Sequence, residues 1–269
     1  MKKRIAVIIL TIVIAAAIPI TISMLTKDLS SGQTDKPTNA VEKTTEAQTT
    51  EKETEPPKPV GGEIDYLAWD KAQELNPDYF AETVFIGDSV SLKFKMYGGL
   101  PGASYLCYGS FGTVNALAGV IKENIWDDIG DNKRVYIMLG MNDLNPAGID
   151  GAVANMKELC NRILDKNPDV LIYIQSMTPI TKAHDGINGR LGKKYINEYN
   201  EKLLELAKEN NWYYLDVASV LTTEDGYLKD EYCGDNGAEG MGLHLSNPGC
   251  AVWCDYLKNH CMDPSWDIK

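Results

Sequence analysis

Five short apolar runs, at residues 84–86, 104–107, 135–139, 170–174 and 213–217, recur along the chain with helix-like stretches between them. Residues 152–164 place Val153, Met156, Leu159, Cys160 and Ile163 at three- and four-residue spacing, and residues 193–209 do the same with Ile196, Leu203, Leu206 and Ala207. That is the period of an amphipathic helix. Asn167-Pro168 and Asn210-Asn211 stop these helices before the next strand. Strands alternating with long helices across short turns need crossover connections, which produce a parallel sheet covered on both faces. The expected class is therefore α/β. In such sheets ligands bind outside the carboxyl ends of the strands, so chemistry is expected at those ends.

The N-terminal quarter lies outside this pattern. Lys2, Lys3 and Arg4 precede an uncharged, mostly apolar run over residues 5–25, long enough to span a hydrocarbon core as a helix. The basic cluster on its N-terminal side predicts that the remainder is exported. The run is long for a signal-peptide core and ends without a small-x-small site. An uncleaved anchor over 1–26 is therefore expected, with a cleaved signal peptide, and hence secretion, as the alternative. Residues 27–62 are rich in Thr, Glu, Lys and Pro and lack Leu, Ile, Phe and Trp after Leu29. This composition reads as a solvated linker. Residues 63–269 then form one domain of ordinary size.

Residues 61–269 hold 18 of the 26 Lys and Arg but 31 of the 38 Asp and Glu. A net charge of −13 argues against nucleic acid as a partner and fits small or neutral substrates. All six cysteines lie in this part; an even count outside the cell permits disulfides without fixing their connectivity. Cys107 sits in a strand pattern and reads as a buried thiol. Cys250, Cys254, Cys261 and His260 lack the paired C-x-x-C spacing of a zinc site, so no metal is expected.

Small and polar groups follow each strand: Gly87-Asp88-Ser89, then "YGSFGTV", "GMND" and "QSMTPI". An acyl-transfer site needs an exposed hydroxyl, a base, and donors aimed at the oxyanion. Ser89 at a strand-to-helix turn supplies the hydroxyl, although Ser is also an ordinary helix cap. Asn142 can supply a side-chain amide, and a glycine after the second strand lets bare backbone approach. Three histidines could serve as base. His260 lies at the end of the last helix, where a cation is favoured. His184 lies in the polar loop "TKAHDGINGR" and could contact substrate. His244, in "GLHLSNPGCAVW", stands just before a helix expected to be capped by Asn247 with Pro248 first, on ordered ground.

These four blocks, "GDSV", "SFGT", "GMND" and "GLHLS", resemble in order the blocks of the GDSL or SGNH hydrolases. The resemblance covers residues 80–260. It implies a flavodoxin-like three-layer α/β/α sandwich on a mainly five-stranded parallel sheet. It makes Ser89 the nucleophile and His244 the base. Its oxyanion donors would be the Ser89 and Gly112 N–H groups and the Asn142 side chain, with no cofactor. Gly112 is preferred to Gly109 because it precedes a small polar residue, Thr113.

One position departs from the pattern. The family usually has Asp three residues before its His, and here that residue is Met241, which cannot accept an imidazole N–H. A backbone carbonyl orienting His244 is the first expectation. Glu239 or Asp235, from "CGDNGAEG", swinging in is the second, and an impaired domain kept as a binding module is the third. The expected activity is an extracellular, membrane-tethered serine esterase acting on a small ester or an O-acylated carbohydrate, such as a cell-wall O-acetyl group. A lipase, thioesterase or acyltransferase is the alternative within the enzyme class.

Overall fold

The computed structural model of the protein describes residues 62–63, 79–97, 99–119, 129–130 and 132–260. The expected anchor over 1–26, nearly all of the expected linker, and Cys261 lie outside the described residues. Among the described residues no helix is long and apolar enough to cross a membrane.

Six strands form one parallel sheet: β1 (Gly62–Glu63), β2 (Thr83–Gly87), β3 (Ser104–Cys107), β4 (Arg134–Met138), β5 (Leu171–Gln175) and β6 (Tyr213–Leu215). Their order is β1-β6-β5-β4-β2-β3. The five longer strands match the expected runs within a residue or two, and β1 adds a short edge strand beside β6. β6 stops at Leu215 because Asp216 caps the next helix, its side chain accepting the Ser219 N–H.

Between and after the strands run α1 (Ser89–Tyr97), α2 (Thr113–Ala118), α3 (Leu144–Lys166, interrupted at Gly148), α4 (Lys193–Asn210), α5 (Val217–Leu221) and α6 (Asn247–Asn259). α2, α3 and α4 pack side by side, as do α1, α6 and α5. The sheet is thereby covered on both faces, as a three-layer sandwich. Every residue of β2 and β4 is buried, which is why these strands read as continuous apolar runs rather than alternating ones.

One face of the sheet carries an aromatic ladder. Tyr105, Phe85, Tyr136, Tyr173 and Tyr213 occupy matching register positions on β3, β2, β4, β5 and β6. Successive rings stack at 5.1, 4.9, 4.4 and 4.6 Å between centroids. Each such contact adds about 1 kcal/mol beyond the area it buries. The ladder continues through Phe94 of α1 to Trp253 of α6, 4.4 Å away. Trp253 Nε1–H also donates to Gln175 Oε1 at the end of β5. α1 and α6, which adjoin the two ends of the site below, are thus tied to the same core.

The chain passes from β2 to β3 on one side, then crosses to β4 on the other. The strand order reverses at β2, so the crevice of this sheet opens at its carboxyl end. Ser89 stands there.

Candidate active site

Asp88, not Ser89, caps α1. Its Oδ1 accepts the Val90 N–H at 2.9 Å, the bond expected of an N-cap, and this leaves the Ser89 side chain for other work. Burial pushes the Asp88 carboxyl up to about 6, against the opposing pull of the Val90 and Ser91 N–H groups and of the nearby His244. An acid whose folded pKa is raised contributes stability below its unfolded pKa, about 4, and loses it as pH rises through about 6. A shift of this size corresponds to about 3 kcal/mol. Urea unfolding of Asp88→Asn beside the natural protein should therefore show the variant gaining about 3 kcal/mol in relative stability from pH 4 to pH 7.5.

Ser89 Oγ–H donates to His244 Nε2 at 3.0 Å. His244 Nδ1–H donates to Asp235 Oδ2 at 2.7 Å. A carboxylate can only accept, so the proton sits on Nδ1 and the Nε2 lone pair is free for the serine proton. The imidazole partner is therefore the Asp235 carboxylate, nine residues before the histidine, in place of the backbone carbonyl expected first. Glu239 is exposed on the same loop, and Met241 contributes only its N–H, to Asp235 Oδ2 at 3.2 Å.

Asp235 is held by more than the histidine. Its Oδ1 accepts the N–H groups of Leu243 and His244, each at 3.0 Å, and the Cys233 thiol at 3.3 Å. Burial would raise its carboxyl, but the His244 ring, the Cys233 thiol and the His244 and Met241 N–H groups outweigh that and hold it below the usual carboxylate range. Spacing could not have shown this arrangement. The Gly-rich stretch from Gly234 to Gly242 folds back so that the Gly242 N–H meets the Asp235 carbonyl at 3.2 Å and the Gly234 N–H meets the His244 carbonyl at 2.7 Å.

His244 rests on firm ground for a local reason. Cys233 and Leu245 form an antiparallel bridge, and Ser246 caps α6, its Oγ accepting the Gly249 N–H. The cap lies one residue earlier than the expected Asn247. Ser246 also ties back to the Tyr232 and Glu231 carbonyls.

The turns after β3 and β4 meet beside β2. Asn142 Nδ2 donates to the Phe111 carbonyl at 3.0 Å, and one amide hydrogen remains for an oxyanion. Asp143, buried, accepts the Thr113 N–H at 3.0 Å and the Thr113 hydroxyl at 2.8 Å, and so fixes the start of α2 next to Gly112. Gly140 makes the intervening turn at φ +134°, where a Cβ would run into the Tyr199 ring at 2.4 Å. The Gly112 N–H is engaged by Asn115 Oδ1 at 3.0 Å, the third residue of α2 reaching back to the helix cap, a contact that spacing alone did not signal. A charged oxyanion is a stronger acceptor than a neutral amide, so it can take this donor from Asn115.

His184 does not face the crevice. It is buried, with Nδ1 on Thr181 Oγ1 and Nε2 on the Gly237 carbonyl. His260 ends α6, its ring nitrogen meeting the Tyr256 carbonyl. The five described cysteines are free and buried, and no group of acidic, His and Cys residues among the described ones could hold a metal ion.

The arrangement can abstract the Ser89 proton and attack a carbonyl. A cleft of about 410 Å³ adjoins it, lined by Ser89, His244, Leu245 and the α1 residues Lys93, Met96 and Tyr97. The GDSL-like Lipase/Acylhydrolase family matches residues 85–252. Among curated proteins none matches. Among solved structures, a Streptococcus pneumonia protein whose name refers to platelet activating factor is 21% identical, covering 66% of this chain and 82% of its own, with a TM-score of 0.55. A GDSL-like lipase from Bacteroides thetaiotaomicron VPI-5482 is 16% identical over 65% of this chain and 85% of its own, TM-score 0.51. A member of the lipolytic protein G-D-S-L family from Veillonella parvula DSM 2008 is 16% identical over 65% and 94%, TM-score 0.50.

Proposed function

The chain belongs to the GDSL-like lipase/acylhydrolase family, and from that premise we propose that it is a membrane-tethered, extracellular serine esterase that removes O-acetyl groups from carbohydrate. The observation that carries the esterase chemistry is the hydrogen-bonded relay from Ser89 through His244 to Asp235. His244 takes the proton as Ser89 attacks the acyl carbon. The oxyanion lies among the Ser89 and Gly112 N–H groups and the Asn142 amide. The imidazolium then gives its proton to the departing alcohol, and water, activated by the same ring, releases the acid. The binding-module reading rested on Met241, and Asp235 removes its basis.

The leaving alcohol must sit on the imidazole side, because Nε2 protonates it. The adjoining cleft includes His244 but neither Gly112 nor Asn142, so it is the place for that alcohol. Its rim presents Tyr97 and Met96, both exposed, with the Lys93 cation 5.2 Å from the Tyr97 ring centroid. A flat amphipathic platform of this kind suits a sugar ring. The apolar run at 5–25 and the polar stretch after it support an anchor and a tether, which would bring the domain to polymer in the cell envelope.

The test is acetate release from O-acetylated oligosaccharides, set beside release of fatty acid from phospholipid. Acetate release with no fatty acid is the expected result; the reverse would make the protein a lipase. Tyr97→Ala should raise KM for the oligosaccharide about 5-fold, the worth of one aromatic contact of about 1 kcal/mol, with kcat nearly unchanged. A small aryl acetate, too short to reach the ring, should show no change.

A further inference from the structure

The loop that carries Asp235 has four glycines, Gly234, Gly237, Gly240 and Gly242, so ordering it costs more chain entropy than ordering most loops. Its acid lies nine residues from the histidine it serves, and contacts from outside the loop add to the bonds the loop makes with itself. Two points of the loop are gripped from one place, the turn formed by Thr181 and the 3₁₀ segment Lys182–His184. The Thr181 N–H donates to the Gly242 carbonyl at 2.9 Å. His184 Nε2 meets the Gly237 carbonyl at 3.2 Å. A carbonyl only accepts, so Nε2 carries the hydrogen, and Nδ1 is free to accept the Thr181 hydroxyl at 2.7 Å.

The fit is close. Gly242 adopts φ +67°, and a Cβ there would lie 2.4 Å from both His184 Nδ1 and Thr181 Oγ1. The same Gly242 donates its N–H to the Asp235 carbonyl at 3.2 Å, and the neighbouring Met241 N–H reaches the Asp235 carboxylate at 3.2 Å. The Thr181–His184 turn thus reaches the Asp235 carboxylate through Gly242 and Met241, and its His184 ring holds the same loop a second time at Gly237.

The geometry points to His184 as a positioning residue of the esterase, one that sets the Asp235 loop and acts on the chemistry only through Asp235. This inference rests on the Ser89 esterase reading. A displacement of about 1 Å at a catalytic group can cost about 100-fold in rate, so loosening the loop has a measurable effect without any contact to substrate.

His184→Gln and His184→Asn separate this role from bulk packing. A Gln amide nitrogen can reach the place of Nε2 and donate to Gly237, whereas an Asn amide reaches only the place of Nδ1. On an aryl acetate, His184→Asn is expected to lower kcat about 10- to 100-fold with KM unchanged, and His184→Gln to stay within about 3-fold of the natural protein. In an Asp235→Asn background His184→Asn should cost nothing further, because the group it positions is already gone. Equal losses for Gln and Asn, a loss carried mainly by KM, or a full additional loss in the Asp235→Asn background would each overturn the inference. If His184→Asn fails to fold, Thr181→Val removes only the hydroxyl on Nδ1, and the same split of kcat from KM and the same double variant decide the matter. A natural protein without esterase activity would instead sink the Ser89 reading itself, a result distinct from every outcome above.

Discussion

Asp235→Asn should lower kcat on an aryl acetate by about 10⁴-fold with little change in KM, as loss of this carboxylate does in Ser-His-Asp enzymes. The size of the effect follows from where the two carboxylate oxygens lie. Oδ1 accepts two backbone N–H groups, from Leu243 and His244, and Oδ2 accepts one, from Met241, besides the imidazole. An Asn side chain has one oxygen, and it is best used where there are two backbone donors. The amide nitrogen then falls opposite His244 Nδ1 and donates to it. The imidazole proton is driven to Nε2, which faces Ser89 as a donor and can no longer take its proton. The variant should fold, since the loop keeps most of its backbone bonds, and circular dichroism would check this. Glu239→Gln should change kcat by less than about 2-fold, because an exposed side chain off the relay has little to lose. Met241→Asp should bring no gain, because Nδ1 already has its carboxylate. A strong gain from Met241→Asp, with Asp235→Asn unaffected, would show that Asp235 is a spectator.

The sheet was legible because its strands are buried on both faces: runs such as "TVFIG" and "RVYIM" can be little else between helical repeats. The blocks at the strand ends were legible for the same reason, since the topology brings the ends of β2, β3 and β4 together. The aromatic ladder was hidden. One aromatic residue per strand is unremarkable until the register aligns Tyr105, Phe85, Tyr136, Tyr173 and Tyr213. The acid was only half legible. Asp235 and Glu239 are equivalent to any reading of spacing, because a Gly-rich loop can present either. What separates them is that Asp235 is in reach of the backbone donors of residues 241 to 244, a property of the folded loop. His184 was visible as a histidine in a polar loop, but its burial depends on the 234–242 segment closing over it, which no local pattern encodes.

Ser89→Ala should reduce kcat by about 10⁵- to 10⁶-fold and leave the fold intact. An intact fold is what makes the loss of rate informative. The cap of α1 is supplied by Asp88, and the Ser89 hydroxyl spends its hydrogen bond on His244, so its removal leaves no buried donor stranded. Unfolding free energy should move by less than about 1 kcal/mol, within the range of ordinary partly exposed substitutions. The oxyanion donors and the cleft survive in the variant, so a remnant of about 10³-fold over water is compatible with the mechanism. A fluorophosphonate should add its mass to the peptide containing Ser89 in the natural protein and to no peptide in the variant. Because nucleophile and acid act as one unit, adding Asp235→Asn to Ser89→Ala should cost almost nothing more. Activity that persists in Ser89→Ala would place the nucleophile elsewhere. A double variant far slower than Ser89→Ala would mean that His244 and Asp235 activate water directly, with Ser89 reduced to a positioning contact.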